Sequence, residues 1–449
     1  MTLRDVVVVG AGISGLTAAH YLHRAGVSVR VLEASSHAGG RMSSQRSAEG
    51  IFEHGAQFMA SAYSVLPELL SELGMSKDVV PTSRRSAAVI DGRLFTFDVR
   101  RPLSMLTSGL LPIRCVPRLV RGLAHLRHTA AFGGVSPDIA SWLAYDSYPG
   151  DKWAEEALGA SSATRLLSTT IFGLYFQQLS ENSAALAAAV AAFGAARSTT
   201  MTIRGGLGTI TAALAERVPV IYNETVREVT LCPTSVRVTT EHSTYDTGAV
   251  VLSVPSAPAR RLLGDLDSKT AALLATPYSP GLLMGLSLRR PLRREELGGA
   301  YGVLFRPADH PKIAAVAVSS RADPTQHADG DVLTVMFSPD ATGELSDAAE
   351  PEVRAAAIKA LAPHLPLIAE LITHTDLIRW EQAMPCTLVG HAARVCDYRD
   401  HLPVDSRLVL AGDYLGFPWI DAAAFNGRWA ARHLLQQSKP DRSVLDLPR

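Results

Sequence analysis

Residues 6–9 are four consecutive valines that run without a break into Gly10-Ala11-Gly12-Ile13-Ser14-Gly15. A continuous β-branched run suits a strand buried on both faces of a parallel sheet. Residues 16–25 then read as a helix closed by Gly26, and residues 27–32 as a second strand. Each glycine has a task in such a βαβ unit. Gly10 permits the tight turn, Gly12 lets the backbone approach a pyrophosphate, and Gly15 lets the helix lie on the strand. The helix start, with Ile13 and Ser14, offers unpaired N–H groups and the positive end of the helix dipole to phosphates. Glu33 and Ala34 stand at the end of the second strand. A carboxylate there accepts hydrogen bonds from ribose hydroxyls and repels a 2′-phosphate. These spacings call for a dinucleotide site that disfavours NADP-type ligands.

Downstream come Gly39-Gly40-Arg41 and Glu53-His54-Gly55-Ala56-Gln57-Phe58. With these segments the chain resembles the flavin amine oxidase superfamily, which includes amine oxidases, protoporphyrinogen oxidases and phytoene desaturases. The resemblance implies FAD as cofactor, held without a covalent bond. It places Gly39, Gly40 and Arg41 at the pyrophosphate, and Gly55, Ala56, Gln57 and Phe58 along the isoalloxazine. It brings the backbone of Val226 to the adenine and Gly412 with Asp413 to the ribityl chain or phosphates. It also aims the helix that begins near Ile420 and Asp421 at flavin N1 and O2. Reduction leaves negative charge there, and a helix N-terminus stabilises it. Asp421 also suits a helix cap, a role compatible with the first.

The implied fold is α/β: a discontinuous Rossmann-type FAD-binding domain with an inserted α+β substrate-binding domain, amine-oxidase-like. Residues 1–75, 200–260 and 380–449 are assigned to the first domain, and 76–199 and 261–379 to the second. Within the second, residues 117–128 and 153–167 read as helices, 183–196 as a buried Ala-rich helix, and 282–288 and 332–337 as strands. Trp380, Pro385, Gly390 and His391 resemble a segment of protoporphyrinogen oxidases and their amine-oxidase cousins. Cys386 lies nearby, but not at the spacing of the cysteine that carries covalent FAD in some amine oxidases.

Lys plus Arg and Asp plus Glu balance at 43 each, which gives no reason to expect nucleic acid or a strongly anionic membrane as partner, local basic stretches aside. The four cysteines form no CxxC pair, so no metal site or disulfide framework is expected. The tract 183–196 is shorter than the ~20 residues a bilayer requires, so no transmembrane segment is expected. A cytoplasmic protein is expected; the resemblance implies a small-molecule substrate with O2 as electron acceptor, and a homodimer is compatible with it.

The candidate catalytic residues are Glu53, as base or as a structural tie under the flavin; Tyr175, in the aromatic segment 171–176, as a pocket wall or as core; and Arg321, as an anchor for an anionic or carbonyl group or as a surface charge. Many amine oxidases carry a lysine on a substrate-domain strand, but residues 280–288 contain none. Protoporphyrinogen oxidases lack that lysine too, which counts against ordinary primary-amine oxidation. The resemblance as a whole nonetheless implies an FAD-dependent oxidoreductase that removes a hydride from carbon next to nitrogen. Protoporphyrinogen-oxidase-like or desaturase-like C–C dehydrogenation, a flavin-dependent isomerase or cyclase, and a non-catalytic FAD-binding protein stand as alternatives.

Overall fold

The structure is a computed structural model, and it describes residues 5–98, 100–101, 103–129, 135–323 and 329–436, with side chains omitted for 127–129. Its first sheet has five parallel strands in the order Val220–Ile221, Ser28–Leu32, Asp5–Val9, Ala249–Leu252, Leu408–Leu410. The central strands 6–9 and 249–252 are apolar throughout and buried on both faces, as a parallel sheet covered on both sides requires. Two helices, Ile13–Arg24 from near the chain's start and Ile420–Gln436 from near its end, pack against each other on this sheet. Strands far apart in sequence thus share one sheet, and their carboxyl ends lie together at the Gly10 turn.

A second, seven-stranded sheet is mixed. Its order is Ile372–Pro385, Tyr278–Leu288, Asp331–Phe337, Ile313–Val318, Gly302–Phe305, Arg85–Ile90, Arg93–Asp98. Alternation along Tyr278–Leu288 sorts its side chains to the two faces. Leu282, Met284 and Leu286 join a core under the helix Glu350–Leu361, while Leu283 joins Phe52, Phe172, Phe176 and Met336 on the opposite face. The boundary expected between residues 379 and 380 falls inside Ile372–Pro385. Pairing with Tyr278–Leu288 keeps that strand continuous to Pro385.

The helix expected at 117–128 is Val116–Thr129, and the Ala-rich tract forms the buried helix Ala184–Ala195, capped by Ser183. The stretch 153–167 is not one helix. Gly150–Leu158 stops at Gly159, whose φ of +86° no ordinary helix residue adopts, and the chain resumes through a wide turn at Ala163–Ser168. No helix among the described residues is long and apolar enough to cross a membrane.

Candidate active site

The site begins where the first strand ends. Gly10 takes φ +99° and its N–H donates to the Leu32 carbonyl at 2.8 Å. A Cβ on Gly15 would sit 2.1 Å from the Gly10 carbonyl oxygen and 2.3 Å from Ser253 Oγ, so only glycine lets the helix start here. Ser253 was not picked out from the sequence. Its hydroxyl donates to the carbonyls of Val9 and Gly10 and braces the turn. Gly12 differs from its neighbours, because a Cβ there would meet nothing within 4 Å. Across that open space a Cβ on Gly40 would meet only the Gly12 Cα, at 3.9 Å. Ser14 Oγ, at the helix start, is buried with no hydrogen-bond partner among the described residues. Open backbone, a free buried hydroxyl and a helix N-terminus together fit an anionic group such as a pyrophosphate.

Glu33 turns back onto this loop. Its carboxylate accepts from Ala11 N at 2.7 Å and from Ser35 N and Oγ at 2.9 and 2.7 Å. The backbone of Glu224 donates to the Glu33 carbonyl, and that of Asn223 to Ser35, which brings the segment leading into Val226 beside Ala34. Gly39 N donates to the Ala11 carbonyl, so the Gly39-Gly40-Arg41 segment lies against the glycine turn. The Arg41 carbonyl then accepts from Ala56 N at 2.9 Å, and a Cβ on Gly55 would lie 2.3 Å from that oxygen.

Arg41 and Asp413, assigned separately from sequence, form one pair. Arg41 Nη1 donates to Asp413 Oδ2 at 2.6 Å and Nη2 to Oδ1 at 3.2 Å, and Nη1 also donates to the Ala383 carbonyl. Tyr278 donates to Asp413 Oδ1 at 2.8 Å. No motif pointed to Tyr278, which is the first residue of a strand of the seven-stranded sheet. Gly412 reaches this position with φ +139°, and its carbonyl is held by Asn426 Nδ2 at 2.9 Å.

Ile420 begins the closing helix, as expected. The Asp421 side chain does not cap its own helix. Fully buried, it accepts from the backbone N–H groups of Ser64, Val65 and Leu66 at 2.9, 2.9 and 2.6 Å, and so caps the helix Val65–Leu73. Burial pushes its carboxyl up to about 6 against those hydrogen bonds. His391 is buried beside the backbone of Tyr414 and Gly416, and burial with the nearby Arg394 holds it neutral, down to about 3.

The candidate catalytic residues separate. Arg321 is not brought to the site. Its guanidinium donates to the carbonyls of Arg293, Glu296 and Ala300 and ties down the loop before the Gly302–Phe305 strand. Tyr175 is buried, with its ring 6.4 Å from that of Trp419, and burial raises its hydroxyl far above the ordinary range. Trp419 in turn meets Phe193 at 5.3 Å, which meets Tyr63 at 6.0 Å, so aromatic rings gather at the start of the closing helix. Gln57 folds onto its own loop through the Glu53 and Gly55 carbonyls, while Phe58 packs into the apolar cluster of Phe52, Phe172 and Leu283. Trp380 donates to the His54 carbonyl and closes the same cluster.

Glu53 accepts from Ser44 Oγ at 2.5 Å and from Leu207 N at 2.9 Å, which ties its loop to the Gly205–Gly208 turn. Burial pushes its carboxyl from 4.5 up to about 7, outweighing both hydrogen bonds. An acid whose folded pKa is raised stabilises fully below the unfolded pKa and loses that contribution as pH climbs through the folded value. The loss for Glu53 is on the order of 3 kcal/mol between about pH 4.5 and 8. Glu53→Gln cannot ionise; its Oε1 still accepts from Leu207 N, and its amide N–H donates to Ser44 Oγ in place of accepting from it. Its urea midpoint should therefore exceed that of the unsubstituted protein near pH 8, with the difference vanishing near pH 5. A pH-independent difference would refute this origin.

Known proteins bear on this geometry at two levels. The family model described as flavin containing amine oxidoreductase matches residues 13–435. Coproporphyrinogen III oxidase of Mycobacterium leprae is 27% identical, covering 94% of this chain and 97% of the relative. Protoporphyrinogen oxidase of Bos taurus is 26% identical, covering 74% and 77%. Among solved structures, cyclohexylamine oxidase from Brevibacterium oxydans superposes with a TM-score of 0.74 at 19% identity, covering 98% of this chain and 100% of that one. The glycine turn, the paired Arg41 and Asp413 and the returning C-terminal helix thus stand within a match that spans nearly the whole chain. The protein belongs to the flavin-containing amine oxidoreductase family and is a flavin-dependent oxidoreductase.

Proposed function

We propose that the chain binds FAD without a covalent link and removes a hydride from a carbon next to nitrogen in a small or medium apolar molecule, with O2 as the final acceptor. The residues first assigned to 1–75, 200–260 and 380–449 hold the cofactor in this reading, and the remainder supplies the substrate wall. Support for FAD comes from the dinucleotide cradle at Gly12, Ser14 and Gly40, the Glu33 carboxylate, and the second helix start at Ile420. Bound flavin supplies the hydride acceptor. The chain's part is to hold the substrate, keep water out and set charge. Because Asp421 is spent on another helix, it adds no hydrogen-bond acceptor of its own where a reduced ring carries charge. Cys386 is largely buried and its thiol is pushed up to about 11, which leaves it protonated and a poor nucleophile.

The observation that carries the reading is the apolar face of the substrate sheet. Phe172, Phe176, Leu283, Met336 and Trp380 form one cluster against Phe58. Such surroundings disfavour an ammonium ion, so a bound amine keeps its nitrogen lone pair, the state from which a hydride departs. The same wall is a poor host for a substrate bearing several carboxylates. A second reading, porphyrinogen dehydrogenation, draws on the lysine-free strand Tyr278–Leu288 and on the near full-length match to a coproporphyrinogen oxidase.

The test is peroxide release by the flavin-loaded protein with a panel of secondary and tertiary apolar amines, beside coproporphyrinogen and protoporphyrinogen. Turnover of amines alone is expected. Oxidation of a porphyrinogen without any amine turnover would replace the first reading by the second.

A further inference from the structure

The loop from Glu53 to Phe58 leaves two of its own backbone donors open. His54 N donates to the Ser43 carbonyl and Ala56 N to the Arg41 carbonyl, but the N–H groups of Gly55 and Phe58 have no acceptor among the described residues. Both residues are half-buried. Open amides at such depth are satisfied by water or by a ligand.

The direction of these two groups is set from the seven-stranded sheet. A trans peptide is planar, so each N–H points opposite to the carbonyl before it. The carbonyl before Gly55 belongs to His54 and accepts from Trp380 Nε1 at 2.6 Å. The carbonyl before Phe58 belongs to Gln57 and accepts from the Tyr301 hydroxyl, also at 2.6 Å. Trp380 lies within one strand of that sheet, and Tyr301 directly precedes another. Both carbonyls are thus turned toward the sheet, and both N–H groups away from it.

Tyr301 is firmly anchored for this task. Its N–H donates to the Arg85 carbonyl at 3.0 Å and its carbonyl accepts from Val318 N at 2.9 Å, so neighbouring strands fix its backbone. The residue is 6% exposed. Burial raises its hydroxyl far above the ordinary range, so it remains a donor at any working pH. The peptide it holds has room to turn without it. Glu53, Gln57, Tyr301 and Thr334 line a cavity of about 20 Å³, space for about one water. No other donor among the described residues reaches the Gln57 carbonyl.

We infer that Tyr301 is a positioning residue for the cofactor: through the Gln57 carbonyl it aims the Phe58 N–H at the flavin ring, as Trp380 aims that of Gly55 through His54. The inference rests on the proposed binding of FAD beside Gly55–Phe58. A fixed donor directed at a ring that gains negative charge on reduction favours the reduced state. A donor free to swing away favours it less. Holding such groups from strands keeps their geometry exact enough to matter.

The experiment is a redox titration of the flavin-loaded, full-length protein, read beside its visible spectrum and melting temperature. Tyr301→Phe deletes one oxygen atom and keeps the ring. Its midpoint potential should fall by about 30 mV, a tenfold change in equilibrium constant for a two-electron couple, and the flavin absorption bands should shift. Trp380→Phe should move the potential the same way and tests the other peptide independently. Val303→Ala is the control. Val303 is fully buried in the core under the helix Glu350–Leu361, so the substitution should lower the melting temperature and leave potential and spectrum alone. Unchanged potentials in Tyr301→Phe and Trp380→Phe, or a shift in Val303→Ala as large as theirs, would overturn the proposal and leave the FAD reading standing. Unsubstituted protein that takes up no flavin would overturn both.

Discussion

Arg41→Met is expected to lower the unfolding free energy by about 3–5 kcal/mol and to yield protein depleted of its yellow cofactor. The size of the effect follows from what is left behind. Asp413 is 9% exposed and takes two hydrogen bonds from the guanidinium and one from Tyr278. Removing Arg41 leaves a buried carboxylate with a single phenol donor, and an unpaired buried charge costs more than the pair contributes. The Ala383 carbonyl loses its donor as well, which loosens the end of the Ile372–Pro385 strand from the cofactor loop.

The mechanism of the loss is open to test by a double-mutant cycle. Asp413→Asn alone leaves Arg41 buried beside a neutral amide and should cost less than Arg41→Met. Arg41→Met with Asp413→Asn removes both charges, so it should be more stable than Arg41→Met alone, a coupling expected between contacting charges. Urea unfolding of apoprotein reads stability without the cofactor, and flavin retention on gel filtration reads the site. If the double variant is no more stable than Arg41→Met, the loss lies in packing and not in an orphaned carboxylate.

How much was legible in the sequence depended on range. The Gly10, Gly12 and Gly15 turn is fixed by backbone sterics within a few residues, so its strand, helix and carboxylate could be read directly. The parallel strands 249–252 and 408–410 are short apolar runs, a local pattern that needs no knowledge of the partner strand. Asp421 was visible as a capping residue, but the helix it caps begins at Val65, and no local pattern links the two. Arg321 follows a strand, a common place for a site residue, yet its fate was set by three carbonyls of a loop that folds against it. Tyr278 is one tyrosine among several until the Arg41–Asp413 pair gives it a task. The helix expected at 153–167 failed at Gly159, because composition over the window outweighed one glycine whose φ is positive. The long strand Ile372–Pro385 has polar and apolar residues mixed across it, so only its pairing with Tyr278–Leu288 reveals its length.

Gly427 is a position where a single added methyl group should do heavy damage, and no motif drew attention to it. It lies in the closing helix Ile420–Gln436, where a Cβ would meet the Ser14 carbonyl oxygen at 2.1 Å and Thr17 Cβ at 3.1 Å. The first of these is backbone, so neither helix can yield by turning a side chain. In an ordinary exposed helix, Gly→Ala gains up to about 1 kcal/mol. Gly194, in the helix Ala184–Ala195, has nothing within 4 Å of its Cβ position and should show that gain. Gly427→Ala should instead cost about 3 kcal/mol through overpacking, so two identical substitutions are expected to differ in sign. The same displacement pushes the helix start carrying Ile13 and Ser14 away from the one beginning at Ile420. Flavin retention should therefore fall in Gly427→Ala under conditions where the apoprotein is still folded. A Gly427→Ala variant as stable as Gly194→Ala, with its flavin intact, would mean that the two helices cross less closely than 2.1 Å implies.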